Sequence, residues 1–240
     1  MAEEYSFPAY EERLEKIIDK FGGKKMDTYN GQDMTPLDDM KGGGITWSFK
    51  RLYAVPKLDK IVFSVQSYRD KLMTYTTLAW PDDQHALPIY SSFWAESAKG
   101  SYFIIDLYPT ADCICDLPYM ENYLDPLEDF YNNGIKHFPE KPKRDINWFR
   151  ALSSPYNLTL DLGASTKDTQ EKLLTLTTDY LEHYYNIWKK DEPREAEYMK
   201  RLNERKQAIR KIMKERDPGG AMLESAVGEE LTQLTLNALF

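Results

Sequence analysis

The sequence predicts an α+β fold, an antiparallel meander sheet with helices on both of its faces. Three observations carry this. Strand-like segments follow one another over residues 45–160, and helical periodicity takes over from 165 to the end at 240. That order favours an antiparallel sheet over alternating βαβ units. Some of the strands are apolar throughout and need cover on both sides. With 42% hydrophobic and 13% aromatic residues in 240, the chain can build the core of one large domain. It is read as a single domain over 1–240: an N-terminal helix and loop (1–44), a mainly β part (45–160) and a mainly helical part (165–240).

The elements follow in order. Residues 8–21 carry Tyr10, Leu14, Ile17, Ile18 and Phe21 on one side, ahead of Gly22-Gly23, which predicts an amphipathic helix and its stop. Residues 24–44, rich in Gly, Asp and Met, read as loop. Strands are predicted at 45–49, 52–55, 61–65, 72–78, 89–94 and 102–107, each short and β-branched or aromatic. Residues 119–132 read as partly helical, with Pro126 in a first turn and Asn133-Gly134 as the stop. A Lys/Pro-rich loop leads to Trp148-Phe149, and a last strand is expected at 156–160. Ser165-Thr166-Lys167-Asp168 reads as an N-cap, with a helix from Thr166 to about Lys190 that carries Leu173, Leu174, Leu176, Tyr180, Leu181, Tyr184 and Trp188 on its apolar side. Pro193 opens a second helix to Arg216, narrow in its apolar stripe and otherwise charged. It must stop at Asp217-Pro218, where Pro218 disfavours a helical Asp217 and Gly219-Gly220 release the backbone. Two short apolar segments then have to dock.

Several function classes are excluded or unsupported. A formal charge of −8 argues against a general nucleic-acid binder. Cys113 and Cys115, one residue apart, suit neither a disulfide nor a zinc site, and with His85, His137 and His183 scattered no metal cluster is visible. No apolar run spans a membrane. Reduced thiols and the absence of a signal peptide point to a cytoplasmic compartment. There is no phosphate-cradling glycine loop and no nucleophile elbow.

Two acids stand out. Asp217 is held at a helix end, where a carboxylate is either a turn former or a site group. Asp106 interrupts the apolar strand Ile104-Ile105-Asp106-Leu107, so it is either paired and structural or set in a pocket with a raised pKa.

Local strings then add a resemblance. Trp80-Pro81 leads through a loop to Leu87-Pro88-Ile89-Tyr90. Asp106-Leu107-Tyr108-Pro109 ends a strand, and Ser154-Pro155-Tyr156 precedes another. The C-terminus carries Asp217-Pro218, Met222-Leu223, Val227-Gly228, Leu231 and Leu239-Phe240. In order and spacing, over roughly residues 47–240, these strings resemble the ferredoxin-dependent bilin reductases, including the related red chlorophyll catabolite reductases. The resemblance implies a three-layer αβα sandwich, with a central antiparallel sheet flanked by helices and a linear tetrapyrrole between the sheet and the C-terminal helices. It also implies no bound cofactor, electrons from ferredoxin, and protons from protein acids. Asp217 becomes a candidate proton donor or substrate anchor, with Ser92, Phe93, Asp106, Arg150 and Met222 as candidate substrate contacts. Lys50, Arg51, Arg69 and Arg150 are candidates to pair with propionates.

One departure matters. Many family members carry an essential aspartate on the sheet, and some carry a histidine on the preceding strand. Here those positions fall on Ser92 or Phe93, and near Thr76. Glu96 and His85 are the candidate substitutes, although Glu96 lies about 13 Å along the strand from Ser92; the plainer reading of both is an exposed surface residue. The expectation is reduction of a linear tetrapyrrole. The alternatives are a non-catalytic tetrapyrrole-binding relative and a reductase of another substrate.

Overall fold

The computed structural model describes residues 7–69, 71–138, 147–163, 166–217 and 219–240. Its elements are α1 (Phe7–Lys20), β1 (Lys24–Met26), β2 (Thr28–Tyr29), β3 (Gln32–Asp33), β4 (Ile45–Ala54), β5 (Leu58–Tyr68), β6 (Leu72–Pro81), β7 (Ile89–Ser97) and β8 (Gly100–Tyr108). They continue with α2 (Leu117–Tyr123), α3 (Glu128–His137), α4 (Asn147–Arg150), β9 (Leu158–Leu162), α5 (Lys167–Lys190), α6 (Ala196–Arg216), α7 (Gly219–Val227) and α8 (Glu229–Leu239).

Seven strands form one antiparallel sheet in the order β1-β4-β5-β6-β7-β8-β9. From β4 to β8 it is a meander, as short connections between successive strands dictate. Strand alternation sends neighbouring residues to opposite faces, and each face has its own core. On one, Phe63, Val65, Tyr75, Trp94, Phe103 and Ile105 pack against Tyr10, Leu14 and Ile18 of α1 and Leu173, Leu174 and Tyr180 of α5. On the other, Leu52, Val62, Leu78, Ile89 and Tyr108 pack against Ile209 and Met213 of α6 and Ala238 of α8. The result is helix layer, sheet, helix layer.

The predicted elements differ from the observed ones in instructive ways. The strands expected at 45–49 and 52–55 are one strand, β4, running through Lys50-Arg51. Residues 24–26, read as loop, add the edge strand β1, whose Lys25 pairs with Tyr53. Gly134 does not stop α3, which continues to His137. The glycine instead lets α3 approach β9, because a Cβ there would meet the Leu158 side chain. The helix expected from Thr166 begins one residue later, at Lys167, and Thr166 is its cap, accepting from the Thr169 N–H at 3.1 Å. Asp217 leaves the helical region with φ −65° and ψ 114°, while Gly219 and Gly220 open α7 without any positive φ. Pro218 lies outside the described residues.

Candidate active site

The α6/α8 face of the sheet is covered over only part of its area. Nearest the C-terminal end of β6, the row Leu52–Val62–Leu78 is buried under α6 and α8. Two rows further toward the other end of the strands differ. Pairing registers place Lys50, Ser64, Thr76, Phe93, Ile104 and Thr159 side by side across six strands. Beyond them lie Gln66, Thr74, Ala95, Tyr102 and Asp161. Within these rows Thr76, Phe93, Thr159, Gln66, Thr74, Ala95, Tyr102 and Asp161 are only half-buried, whereas Met73, Tyr75, Trp94 and Phe103, which alternate with them on the opposite face, are buried. Half of one face is therefore a polar and aromatic floor. Phe93 and Tyr102 meet on it edge to face, 6.4 Å between ring centroids. A cavity of about 560 Å³ adjoins its far end, lined by Thr159, Arg150, Arg205 and Asn157 among others.

Asp217 ends α6, whose Ile209 and Met213 help cover this face. It closes α6 one turn beyond Met213, whose carbonyl accepts the Asp217 N–H at 3.0 Å. Its carboxylate accepts from the Gly219 N–H at 2.8 Å, so one residue both terminates α6 and starts α7. At its far end α7 approaches the loop that precedes β4. Gly43, with φ +51°, permits this because a Cβ there would run into the Ala226 carbonyl. Burial raises the Asp217 pKa, and the Gly219 hydrogen bond offsets only part of that. A half-exposed acid with a raised pKa is suited to holding and giving a proton.

The other sequence candidates are dispersed. Glu96 is not a surface residue: it is 3% exposed and lies on the α1/α5 face, where Gln170 of α5 donates to it at 2.5 Å. The sheet thus separates it from Asp217. His85 is also buried rather than exposed. Its Nδ1 lies 2.8 Å from Asp82 Oδ1, and its backbone N–H donates to the same oxygen at 3.0 Å, which makes it part of the turn that docks α6. Burial alone would push the Asp82 carboxyl up, but the hydrogen bonds from His85 and Gln84 outweigh it and hold it low. Ser92 faces α1: it pairs across the strands with Thr77, whose hydroxyl is 3.2 Å from that of Tyr10.

Asp106 is fully buried on the α6/α8 face. It accepts from the Ser154 N–H at 2.9 Å, the Ser154 hydroxyl at 2.5 Å and Asn157 Nδ2 at 3.1 Å, tying β8 to the turn before β9. Burial raises its pKa to about 6 despite these bonds. Among the candidate cations, Arg51 points away from the floor and pairs with Glu11 and Glu15 of α1. Arg69 is exposed at the β5–β6 turn and lies over the Tyr68 ring, 5.2 Å from its centroid. Arg150 is exposed beside the cavity, and Met222 is exposed on α7. Of these candidates, Phe93 and Lys50 stand in the floor's rows and Arg150 lines the cavity at its far end, while Asp217 ends α6, one of the helices that cover the same face. Among the described residues no cluster of His, Cys, Asp and Glu could hold a metal ion, and no helix is long and apolar enough to cross a membrane.

A family model described as ferredoxin-dependent bilin reductase matches residues 12–240. The chain belongs to that family. No curated protein matches it. Among solved structures, phytochromobilin synthase from tomato, in complex with biliverdin, superposes with a TM-score of 0.83 at 17% identity, over 97% of this chain and 81% of that one. A second structure, of PcyX, gives 0.51 at 11% identity over 97% and 94%. At these identities the likeness carries the fold alone. Of the two positions, Ser92 and Phe93, on which the family's sheet aspartate was expected to fall, Phe93 is the one on the floor, and it pairs directly with Thr76, near which the histidine was expected. Neither Phe93 nor Thr76 can donate a proton as an acid.

Proposed function

We propose that the chain reduces a linear tetrapyrrole of the biliverdin type. Electrons arrive one at a time from reduced ferredoxin, and Asp217 gives a proton to the substrate. The observation that carries this reading is a half-buried floor on the sheet face that α6 covers, with the raised-pKa acid Asp217 at the end of α6, in a chain of the bilin reductase family. The floor extends across six strands, with two aromatic rings and hydroxyl groups, which suits an extended conjugated ligand. Arg150 and Arg205, at the Thr159 end, offer cations to the ligand's carboxylates. The protein acts without a resident metal or flavin, so its own residues bind, orient and protonate.

Biliverdin titrated into the purified protein shifts its visible absorption on this reading, and reduced ferredoxin then bleaches or shifts the bound spectrum. Asp217→Asn binds the pigment and stalls after the first electron. Unchanged turnover in that variant would remove Asp217 from the chemistry. The pairing of Thr76 with Phe93 favours one second reading, a relative that binds tetrapyrroles without reducing them. That protein would show the first spectral change and not the second.

A further inference from the structure

Three lysines are buried among the described residues: Lys50, Lys60 and Lys206. Two of them staple the C-terminal helices to the rest of the fold. Lys206 of α6 donates to the carbonyls of Pro81 and Asp82 and to the Asp83 carboxylate, at 3.1, 2.6 and 2.8 Å. Lys60 donates to the Asn237 carbonyl of α8 at 2.9 Å and lies 4.3 Å from the centroid of the Tyr29 ring. Lys50 does neither. Its one hydrogen-bond partner among the described residues is the Ser48 hydroxyl, at 3.3 Å. An ammonium group has three N–H bonds to give, and enclosing it with one weak acceptor is unfavourable for folding.

The position of this amine supplies the reason for keeping it. Lys50 stands on the α6/α8 face, in the same row as Ser64, Thr76, Phe93, Ile104 and Thr159. It marks the β4 end of the floor, as Arg150 marks the opposite end. Neighbouring strands lie about 4.8 Å apart, so the Lys50 backbone is roughly 10 Å from Thr76, and its side chain spans about 6 Å.

We propose that Lys50 faces the bound tetrapyrrole and donates one of the two protons of the reduction. This rests on the tetrapyrrole reading above. Saturating one carbon–carbon double bond takes two electrons and two protons. Two reduced ferredoxins give one electron each and are oxidised. The Lys50 ammonium protonates the substrate after it has accepted an electron, its N–H bond breaks, and a neutral amine remains. Asp217 delivers the second proton as its O–H bond breaks, and solvent recharges both groups between turnovers. Burial, with no neighbouring charge opposing it, pulls the Lys50 pKa down to about 7 from 10.5, close to the pH at which a donor must work.

The test uses the full chain, biliverdin and reduced ferredoxin under anaerobic conditions, with Lys50→Gln and Lys50→Arg. Arginine keeps the charge but does not release a proton at neutral pH. Both variants are expected to bind biliverdin within about threefold of the wild type while kcat falls about 100-fold. A substrate radical should then accumulate in electron paramagnetic resonance. The wild-type rate should also lose a limb as pH rises through about 7, a limb absent from both variants. Far-UV circular dichroism confirms that each variant is folded, and Lys50→Met serves where Gln or Arg is not. A variant turning over within about threefold of wild type, or rescue by arginine, overturns the proposal while leaving the tetrapyrrole reading intact. Failure of the wild type itself to bind or reduce the pigment overturns both.

Discussion

Lys50→Met tests the physical account of this site without any substrate. Methionine matches the unbranched stem of lysine and deletes the buried amine. The free side chain has a pKa of 10.5 and the buried one about 7. At about 1.4 kcal/mol per pKa unit, the gap sets a ceiling of about 5 kcal/mol on the penalty the fold carries for this group. Replacing a poorly compensated buried charge by an apolar side chain typically stabilises by about 1–4 kcal/mol, and a gain in that range is expected at pH 7. The sign follows from proton counts. Between about pH 7 and 10.5 the folded chain binds fewer protons at Lys50 than the unfolded chain, so wild-type stability rises with pH through that window. The penalty is full below pH 7 and fades toward 10.5. The advantage of the Met variant should therefore shrink by up to about 2 kcal/mol between pH 7 and pH 9. Urea unfolding of both proteins at pH 6, 7, 8 and 9 measures it. A gain of constant size at every pH, or a loss of stability at pH 7, would refute the reasoning.

Three further outcomes follow from the positions of the acids and of His85. Glu96→Gln should leave ferredoxin-dependent turnover within about twofold of wild type, because Glu96 faces α5 and not the floor; a large fall in kcat would show that the sheet does not isolate it. His85→Ala should cost about 1–2 kcal/mol in urea unfolding by breaking the turn with Asp82, with turnover retained. Asp106, with its pKa raised from 3.8 to about 6, holds its proton more tightly when folded, so its contribution is full below pH 3.8 and is lost as pH rises through 6. Asp106→Asn should flatten wild-type stability between those pH values by up to about 3 kcal/mol, and an unchanged pH profile would contradict the burial assigned to this carboxyl.

The layers of the fold were legible because strand alternation and helix periodicity record which faces are buried. The end of α6 at Asp217 was legible from local backbone chemistry. The site was less so, for identifiable reasons. Reading β4 as two strands, 45–49 and 52–55, left Lys50 and Arg51 between them with no face assigned, so both stood equally as candidates to pair with propionates. Once β4 is continuous, Ser48, Lys50 and Leu52 fall on one face and Arg51 on the other, next to Glu11 and Glu15. Glu96 looked exposed because a lone acid near a strand end usually is; only the packing of α5 shows it buried against Gln170. The juxtaposition of Thr76 with Phe93 depends on strand register, which no single strand encodes. Edge strand β1 was missed because Lys24-Lys25-Met26 has no apolar alternation, charged residues being common on sheet edges.

The most direct measurement is a single anaerobic experiment, in which biliverdin is added to the wild-type protein and reduced ferredoxin follows while the visible spectrum is recorded. The account predicts two successive changes, one on binding and one on reduction, with about two ferredoxins oxidised for each double bond saturated. A bound spectrum that reduced ferredoxin leaves unaltered would contradict it.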